Sequence, residues 1–439
     1  MSPLTVAQVL ALSPDDASSK AARGLMKPAK WVTLGAAEQG LWGECQGSGA
    51  KPYQVMVDAN GYGTKCSCPS RKFPCKHGLA LMLMHAESTG TFATAPPPWL
   101  TEWLDSRKER AEKQAAKKEA AAEAPPPDPA KAAKRQEARL DRMRAGAAWL
   151  GLWMRDLVRE GFADLPSRPS SFWRETAARM VDAQATGLGR RVEEMESLLY
   201  SGTDWPAKLL AAMGRTQLLL DALEKFDSLP PGLQADVRTA LGWPQDKEAA
   251  LTGEKVEDLW TVLAVVYEEN GPLHERRVWL SGNRSGREAM LLDFSHGGRR
   301  FETPFVHGTQ MEAVLSYFPA ALPLRALPEV KSAPAPSPGL PGAEGFAEVL
   351  ESISNRMASN PWVQRQPVAL RGARLRREGN AWALQDAGGA DVPVRLSESG
   401  GWMLAALTGG EAADVFGEWS GGILHPLTAW HKTWISLTD

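Results

Sequence analysis

Residues 66–77 of the 439-residue chain read CSCPSRKFPCKH, and this stretch holds three of the four cysteines. Its candidate ligands are Cys66, Cys68, Cys75 and His77, in the order C-x-C, six residues, C-x-H. Three thiols and one imidazole suit the tetrahedral coordination of zinc. In an extended C-x-C pair both side chains face the same side, so both thiolates can reach one ion. Four protein ligands leave no open position, and the sequence therefore predicts one structural zinc ion.

This spacing resembles the SWIM zinc finger, whose signature is C-x-C, a variable gap and C-x-H. Strand-like runs before the ligands and an apolar helix after them agree with the ββα layout of that family. The resemblance covers about residues 45–88. It implies DNA binding or protein–protein interaction, and bacterial proteins of similar length with an N-terminal SWIM finger look like the nearest relatives. Such proteins appear in settings with AAA-type ATPases, so the resemblance also implies a protein partner from such a system.

Four cations and one aromatic residue surround the ligands. They are Lys65, Arg71, Lys72, Phe73 and Lys76. A site with three thiolates and one zinc ion carries a net charge of about −1, which nearby cations would offset. The same cations would also suit a nucleic acid or an acidic protein, with the aromatic ring available for stacking. Both interpretations stay open.

Two further residues near the site are not predicted to be ligands. Cys45 falls outside the signature and is predicted to be a small apolar core residue. His85 follows His77 by eight residues and is predicted to lie at the surface or beside the ligands.

Composition limits the classes of protein that the chain can be. The formal net charge is −2, so any nucleic-acid surface must be local. The hydrophobic content of 43% is enough for buried cores. The first residues lack the basic region of a signal peptide, and no apolar run approaches the roughly 20 residues of a membrane span. Together with the clustered cysteines, these features predict a cytoplasmic protein that does not bind membranes.

The apolar periodicity and the prolines predict an α+β multidomain fold, with a small ββα zinc module, a helical middle region and a mixed α/β C-terminal half. The predicted parts are a zinc finger domain at 1–90, a Pro/Lys/Glu/Ala-rich linker at 91–135, a helical domain at 136–253, a β-rich domain at 254–330, a Pro-rich linker at 331–342 and a C-terminal α+β domain at 343–439.

The first linker is locally basic. Residues 107–118 contain six Lys or Arg and two acids, and residues 131–144 contain the same numbers. Such runs either keep a helix solvated or follow a phosphate backbone. Trp99 and Trp103, beside the proline stretch, are predicted to dock this linker onto a domain.

The sequence contains no phosphate-binding loop, nucleophile elbow or metalloprotease helix. Histidines at 274, 296 and 307 are predicted to be solvated rather than to bind a metal. A packing role is predicted for His425 and His431 with Glu418 and Asp414, and Glu193 and Glu194 are predicted to face water. The leading hypothesis is an adaptor without enzymatic activity that recognises DNA or a protein. The alternative is an enzyme with its site in residues 254–439, targeted by the finger.

Overall fold

The computed structural model of the chain describes residues 4–14, 16–47, 51–59, 62–70, 72–109, 129–270, 273–296, 301, 303–379 and 381–438. The turn predicted at 60–61 and most of the helix predicted between the two proline stretches of the first linker lie outside these residues.

The described residues of the N-terminal domain form a four-stranded antiparallel sheet with helices on one side. Its elements are α1 (Val6–Ala11), α2 (Asp16–Arg23), β1 (Trp31–Ala37), β2 (Gly40–Cys45), β3 (Tyr53–Asp58), β4 (Thr64–Cys66) and α3 (Lys76–Ala86), with the strands in sequence order. Helix α3 packs on β2, β3 and β4, and α1 and α2 pack on α3. Residues 77–84 of α3 are all buried because the helix is covered on both sides. The predicted ββα unit is present as β3, β4 and α3.

The start of the first linker is docked onto this sheet. Residues 98–109 form a helix, α4. Leu100 and Trp103 are buried against Trp42 and Met56, and Trp99 packs beside them. The docking predicted for both tryptophans is therefore confirmed.

The middle region is helical, as the periodicity predicts. Helices α5 (Pro129–Glu160), α6 (Ser170–Asp182), α7 (Thr186–Leu198) and α8 (Trp205–Glu224) pack around one apolar core, followed by α9 (Pro231–Ala240) and α10 (Lys247–Thr252). The residues whose spacing predicts the buried face are all in that core: Met180, Leu188, Val192, Met195 and Leu199.

In the described part of the C-terminal half, two six-stranded antiparallel sheets pack face to face. The first contains β5 (Lys255–Asn270), β6 (Leu273–Gly282), β7 (Glu288–His296), β8 (Thr309–Tyr317), β9 (Ala326–Val330) and β10 (Ala335–Pro336). The second contains β11 (Gln366–Glu378), β12 (Ala381–Gln385), β13 (Asp391–Val392), β14 (Ala413–Ser420), β15 (Ile423–His431) and β16 (Thr433–Ser436). Trp279 of the first sheet and Phe416 and Trp434 of the second lie in the core between them.

Helices α11 (Phe346–Ser359) and α12 (Glu398–Thr408) contribute to a separate core with the second sheet. The predicted helix at 346–357 is confirmed by α11. The sequence patterns indicated neither α12 nor β8. Gly400 and Gly401 lie in the first turn of α12 and Gly409 and Gly410 follow its end, which favours a loop assignment, whereas β8 follows a stretch with few strand signals.

Residues 331–342, predicted to be a proline-rich linker, are part of the folded C-terminal half. Strand β10 pairs with β8 through Ala335 and Pro336. Leu340 is buried in the core between the two sheets. Pro336 lacks an amide donor but is tolerated in β10, which lies at the edge of the sheet, and buried Leu340 anchors the residues that follow.

The N-terminal domain also contacts the first C-terminal sheet. Val306, from the segment that precedes β8, is buried in the hydrophobic core of the zinc finger domain. The Gln8 side-chain amide donates a hydrogen bond to the Gly308 carbonyl, over a distance of 3.3 Å. Among the residues that the structure describes, no helix combines the length and apolar character needed to cross a membrane.

Candidate metal centre

The four predicted ligands come from two adjacent local structures. Cys66 ends strand β4 and Cys68 follows it in the loop. Cys75 is the N-cap residue of α3 and His77 lies in its first turn. Strand β4 pairs with β3, and α3 packs on both strands, so the fold brings the two ligand pairs together.

The ligand atoms lie at distances that suit a single zinc ion. All four are within 4.8 Å of one another. The His77 Nδ1 atom is 3.8 Å from the Cys66 sulfur and 3.9 Å from the Cys75 sulfur. Tetrahedral zinc with ordinary bond lengths separates neighbouring ligand atoms by about 3.5–3.8 Å. Separations within 4.8 Å need to shorten by at most about 1 Å to complete this coordination, so the residues fit the ion.

The electrostatics of the thiols also suit a metal. A hydrogen bond between the two sulfurs lowers the pKa of Cys75 to about 4 and raises the pKa of Cys66. Burial raises the pKa of Cys68. Thiols must lose their protons to bind a metal, so metal binding at this site releases protons.

The burial of the ligands indicates a structural site. Cys75 and His77 are buried, and Cys66 and Cys68 are partly buried. Within the described ranges, this is the only group of three or more His, Cys, Asp or Glu side chains with metal-binding spacing. Three thiolates and an imidazole occupy all four positions of a tetrahedral ion, and none is left for a reacting water molecule.

Both residues predicted not to be ligands lie outside the cluster. Cys45 is fully buried in the core of the domain, as predicted. His85 packs edge-on against Phe92, with ring centroids 5.5 Å apart, and is not part of the metal-binding group.

Comparison with known families gives two matches. Residues 53–86 match the SWIM zinc finger. The chain carries a SWIM zinc finger. Residues 138–241 match the SWIM-associated four-helix bundle domain, which corresponds to α5–α9. The SWIM match ends with the last residue of α3, so it contains all four ligands and the strands that position them. No curated protein and no solved structure matches the chain significantly.

The predicted contact residues do not share one environment. Lys65, Lys72 and Lys76 are exposed. Arg71 lies outside the described residues. Phe73 is half-buried and lines a cleft with Tyr267 and other residues of the β-rich region. Its ring therefore does not stand free at the loop tip for stacking, because the finger loop faces the first C-terminal sheet.

The histidines of the β-rich region do not gather around a metal. His296 is exposed, as predicted. His274 is partly buried, with Nδ1 3.4 Å from a Glu269 oxygen. His307 is buried, contrary to the prediction that it is solvated, and burial lowers its pKa to about 4. The segment that carries it is enclosed because the neighbouring Val306 enters the zinc finger core.

The last histidine and carboxylate group is structural, as predicted. Glu418 is buried and accepts hydrogen bonds from Arg277 and Trp279. Asp414 accepts from the Gly372 amide, and His431 contacts the Ala412 carbonyl. His425 lies opposite Glu418 in the pairing of β14 and β15. The side chains of Glu193 and Glu194 are exposed, as predicted.

Proposed function

We propose that the chain is a recognition adaptor in which zinc is structural and the finger presents a basic surface to a DNA or protein partner. The observation that supports this proposal is the closed Cys3His site, which leaves no ligand position for chemistry. A metal held in this way stabilises a small fold and the surface around it. A protein partner from an AAA-type ATPase system is one form of this proposal.

The surface itself is supplied by three exposed lysines next to the ligands. Lys65 precedes Cys66, Lys72 lies between the ligand pairs, and Lys76 separates Cys75 from His77. Lys65 and Lys76 alone already exceed the single negative charge expected of a zinc ion with three thiolates. The remaining positive charge favours an anionic partner, either a phosphate backbone or an acidic protein segment.

In the described part of residues 254–439, no group of side chains has the spacing of a metal site that would favour the enzyme alternative. The buried charged groups described there, such as Arg276, Arg277 and Glu418, are engaged in ion pairs with one another or with neighbouring side chains. Tight binding of a metal or a small ligand to the C-terminal half would favour this alternative.

The proposal is tested with the zinc-loaded full chain and two fluorescent probes, a short random-sequence DNA duplex and a polyglutamate peptide. The variant Lys65→Ala/Lys72→Ala/Lys76→Ala removes the surface charge. We expect it to keep its zinc and its melting temperature while binding to one probe weakens. On duplex DNA, the slope of log affinity against log salt should become shallower by about 2–3, since each phosphate contact contributes about 0.9.

The matched control is Lys20→Ala/Lys27→Ala/Lys30→Ala, which makes the same change in charge at exposed positions of the same domain. Loss of binding in the first variant alone supports a recognition surface beside the metal. Equal binding by both variants would mean that the lysines near the ligands only balance the thiolate charge.

A further inference from the structure

Two arginines of the helical middle region stack on one tryptophan. The guanidinium carbon of Arg139, on α5, lies 4.3 Å from the ring centroid of Trp243. The guanidinium carbon of Arg238, on α9, lies 5.6 Å from the same centroid and 5.1 Å from that of Phe226. Two positive charges are thus held against one aromatic group.

The local backbone explains why Arg238 and Trp243 meet. Helix α9 ends with two hydrogen bonds, from the Trp243 amide to the Arg238 carbonyl at 2.9 Å and from the Gly242 amide to the Thr239 carbonyl at 3.0 Å. This is the Schellman arrangement, which brings the residue after the terminal glycine against the last turn of the helix. Gly242 has φ +85°, and a Cβ there would lie 2.2 Å from the Thr186 hydroxyl. The stack is therefore built on a fixed helix end.

Neither arginine has a described counter-charge. Within the described parts of the chain, their side chains make no ion pair and no hydrogen bond, and the Nε atoms of both are buried without a partner. Other arginines of this region are paired, such as Arg144 with Asp227 at 2.7 Å and Arg168 with Glu160 at 3.2 Å. Stacking on an aromatic face compensates a desolvated cation only in part. A bound anion at the terminal guanidinium nitrogens would supply the missing counter-charge.

The positive surface continues along α5. Arg135, Arg139 and Arg142 follow the spacing i, i+4, i+7 and share one face of the helix, whereas Glu137 and Asp141 lie on the opposite face. Arg135 and Arg142 are exposed. The three arginines span about 10 Å along the helix axis. This length exceeds one phosphate group and suits several consecutive charges of a polyanion.

We propose that Arg139 and Arg238, stacked on Trp243, bind backbone phosphates of a nucleic acid, with Arg135 and Arg142 extending the contact along α5. Guanidinium groups bind phosphate oxygens through paired N–H donors, and a ring beneath them keeps those donors oriented. Because the proposed contacts are to phosphates, which carry no sequence information, binding should not depend on sequence. This inference gives the adaptor proposed above a nucleic-acid partner and places the contact on the bundle, apart from the finger.

The test uses the zinc-loaded full chain and fluorescence anisotropy with labelled single-stranded and duplex oligonucleotides of random sequence. Arg139→Gln/Arg238→Gln removes two charges. We expect binding to weaken about tenfold or more and the salt slope on duplex to become shallower by about 1.8. Arg139→Lys/Arg238→Lys keeps the charge but loses the planar donors, and should bind with intermediate affinity.

The matched control is Arg159→Gln/Arg174→Gln, which removes two exposed arginines of the same region. Thermal melting of every variant confirms that the bundle is folded. The inference is supported if oligonucleotide binding weakens only in the variants of the stacked pair. It is also supported if inorganic phosphate competes only weakly with the oligonucleotide. Binding by Arg139→Gln/Arg238→Gln with unchanged affinity and salt slope would overturn the inference. So would full competition by millimolar phosphate, which would indicate a site for a small anion only.

The finger variant separates this inference from the proposed function. If Lys65→Ala/Lys72→Ala/Lys76→Ala loses its partner while the stacked pair can be removed without effect, the adaptor proposal stands and the bundle inference fails. If only removal of the stacked pair abolishes oligonucleotide binding, the inference stands and the finger is not the nucleic-acid surface.

Discussion

The zinc finger domain and the C-terminal half each contain a buried cluster of polar side chains, but the two clusters are stabilised differently. In each, polar side chains from separate segments converge in a buried place. In the finger, Cys66, Cys68, Cys75 and His77 are potential ligands of one ion. In the C-terminal half, the Glu418 carboxylate accepts from Arg277 and thereby joins the two sheets. The first cluster needs an added ion, whereas the second is complete within the chain.

This difference determines what can disturb each region. The thiols of this cluster must lose their protons to bind zinc, so its stability depends on available zinc and on pH. The carboxylate and guanidinium cluster depends on every partner being present, because an unpaired buried charge is strongly destabilising. The finger can therefore be opened by a change of conditions, and the sheets mainly by mutation.

The largest effect is expected from losing the metal. Cys68→Ser, or chelation of the native chain, should remove most of the ~10–16 kcal/mol that zinc binding contributes to small finger folds. Elemental analysis should show no zinc, and hydrogen exchange should show opening of residues 45–88. Cys45→Ser is the control, since Cys45 is a core residue outside the ligand set. Full zinc content in Cys68→Ser, or its loss in Cys45→Ser, would refute the ligand assignment.

A smaller effect is expected in the ion-pair network. Glu418→Gln should lower the free energy of unfolding by about 3 kcal/mol, near the low end for breaking a buried pair. The reason for the low value is that Arg277 keeps Glu268 at 2.9 Å and Glu275 at 2.8 Å. Urea unfolding of the zinc-loaded chain measures the change, which should not alter zinc content.

The control for this network is Glu254→Gln, which removes an exposed partner of Arg287. Exposed pairs contribute about 0–1 kcal/mol. If the two variants are equally stable, the buried network does not hold the sheets together.

The smallest effect concerns acid sensitivity of the C-terminal half. Burial of Asp258 opposes its ionisation, but hydrogen bonds from Ser285 and Arg284 prevail and lower its pKa from the ordinary 3.8. A carboxyl whose pKa is lowered by folding stabilises the fold at pH values above its ordinary pKa. This contribution is lost as pH falls through the lowered pKa. Asp258→Asn should cost about 1.5 kcal/mol at neutral pH.

The pH dependence gives the second readout for Asp258. The gap in stability between Asp258→Asn and the native chain should narrow as pH falls below 3.8 and through the lowered pKa, where the native carboxyl becomes protonated. A gap that stays constant over that range would show that the aspartate acts through packing rather than charge.

The metal site was predictable because its information is local. Four ligands within residues 66–77 define both the ion and the geometry, whatever the remaining chain does. The bundle was predictable for a related reason, since Val192 and Met195 repeat with the period of a helix and lie in its core. Docking could be predicted for Trp103 because a large apolar ring beside a proline stretch leaves water mainly by packing onto a neighbouring domain.

Long-range pairing was not predictable from the sequence. Glu418 and Arg277 are 141 residues apart, and nothing in either local pattern indicates that they meet. The half-burial of Phe73 depends on a sheet that begins almost two hundred residues later. The contact between Arg238 and Trp243 could have been predicted from the sequence. A glycine just after the last apolar residue of a helix predicts that the residue following the glycine contacts the last helical turn.

Val306 has a consequence for the order in which the protein is made. It completes the core of a domain whose last helix ends at Ala86, so about 220 residues are translated between the two. At synthesis rates of about 5–20 residues per second this interval lasts about 10–40 s. During that time the nascent finger has an apolar gap where Val306 will lie, and zinc adds to the pairing of β3 with β4 in holding the ligand loop. The zinc available during synthesis would thus determine whether the domain is already folded before Val306 is made.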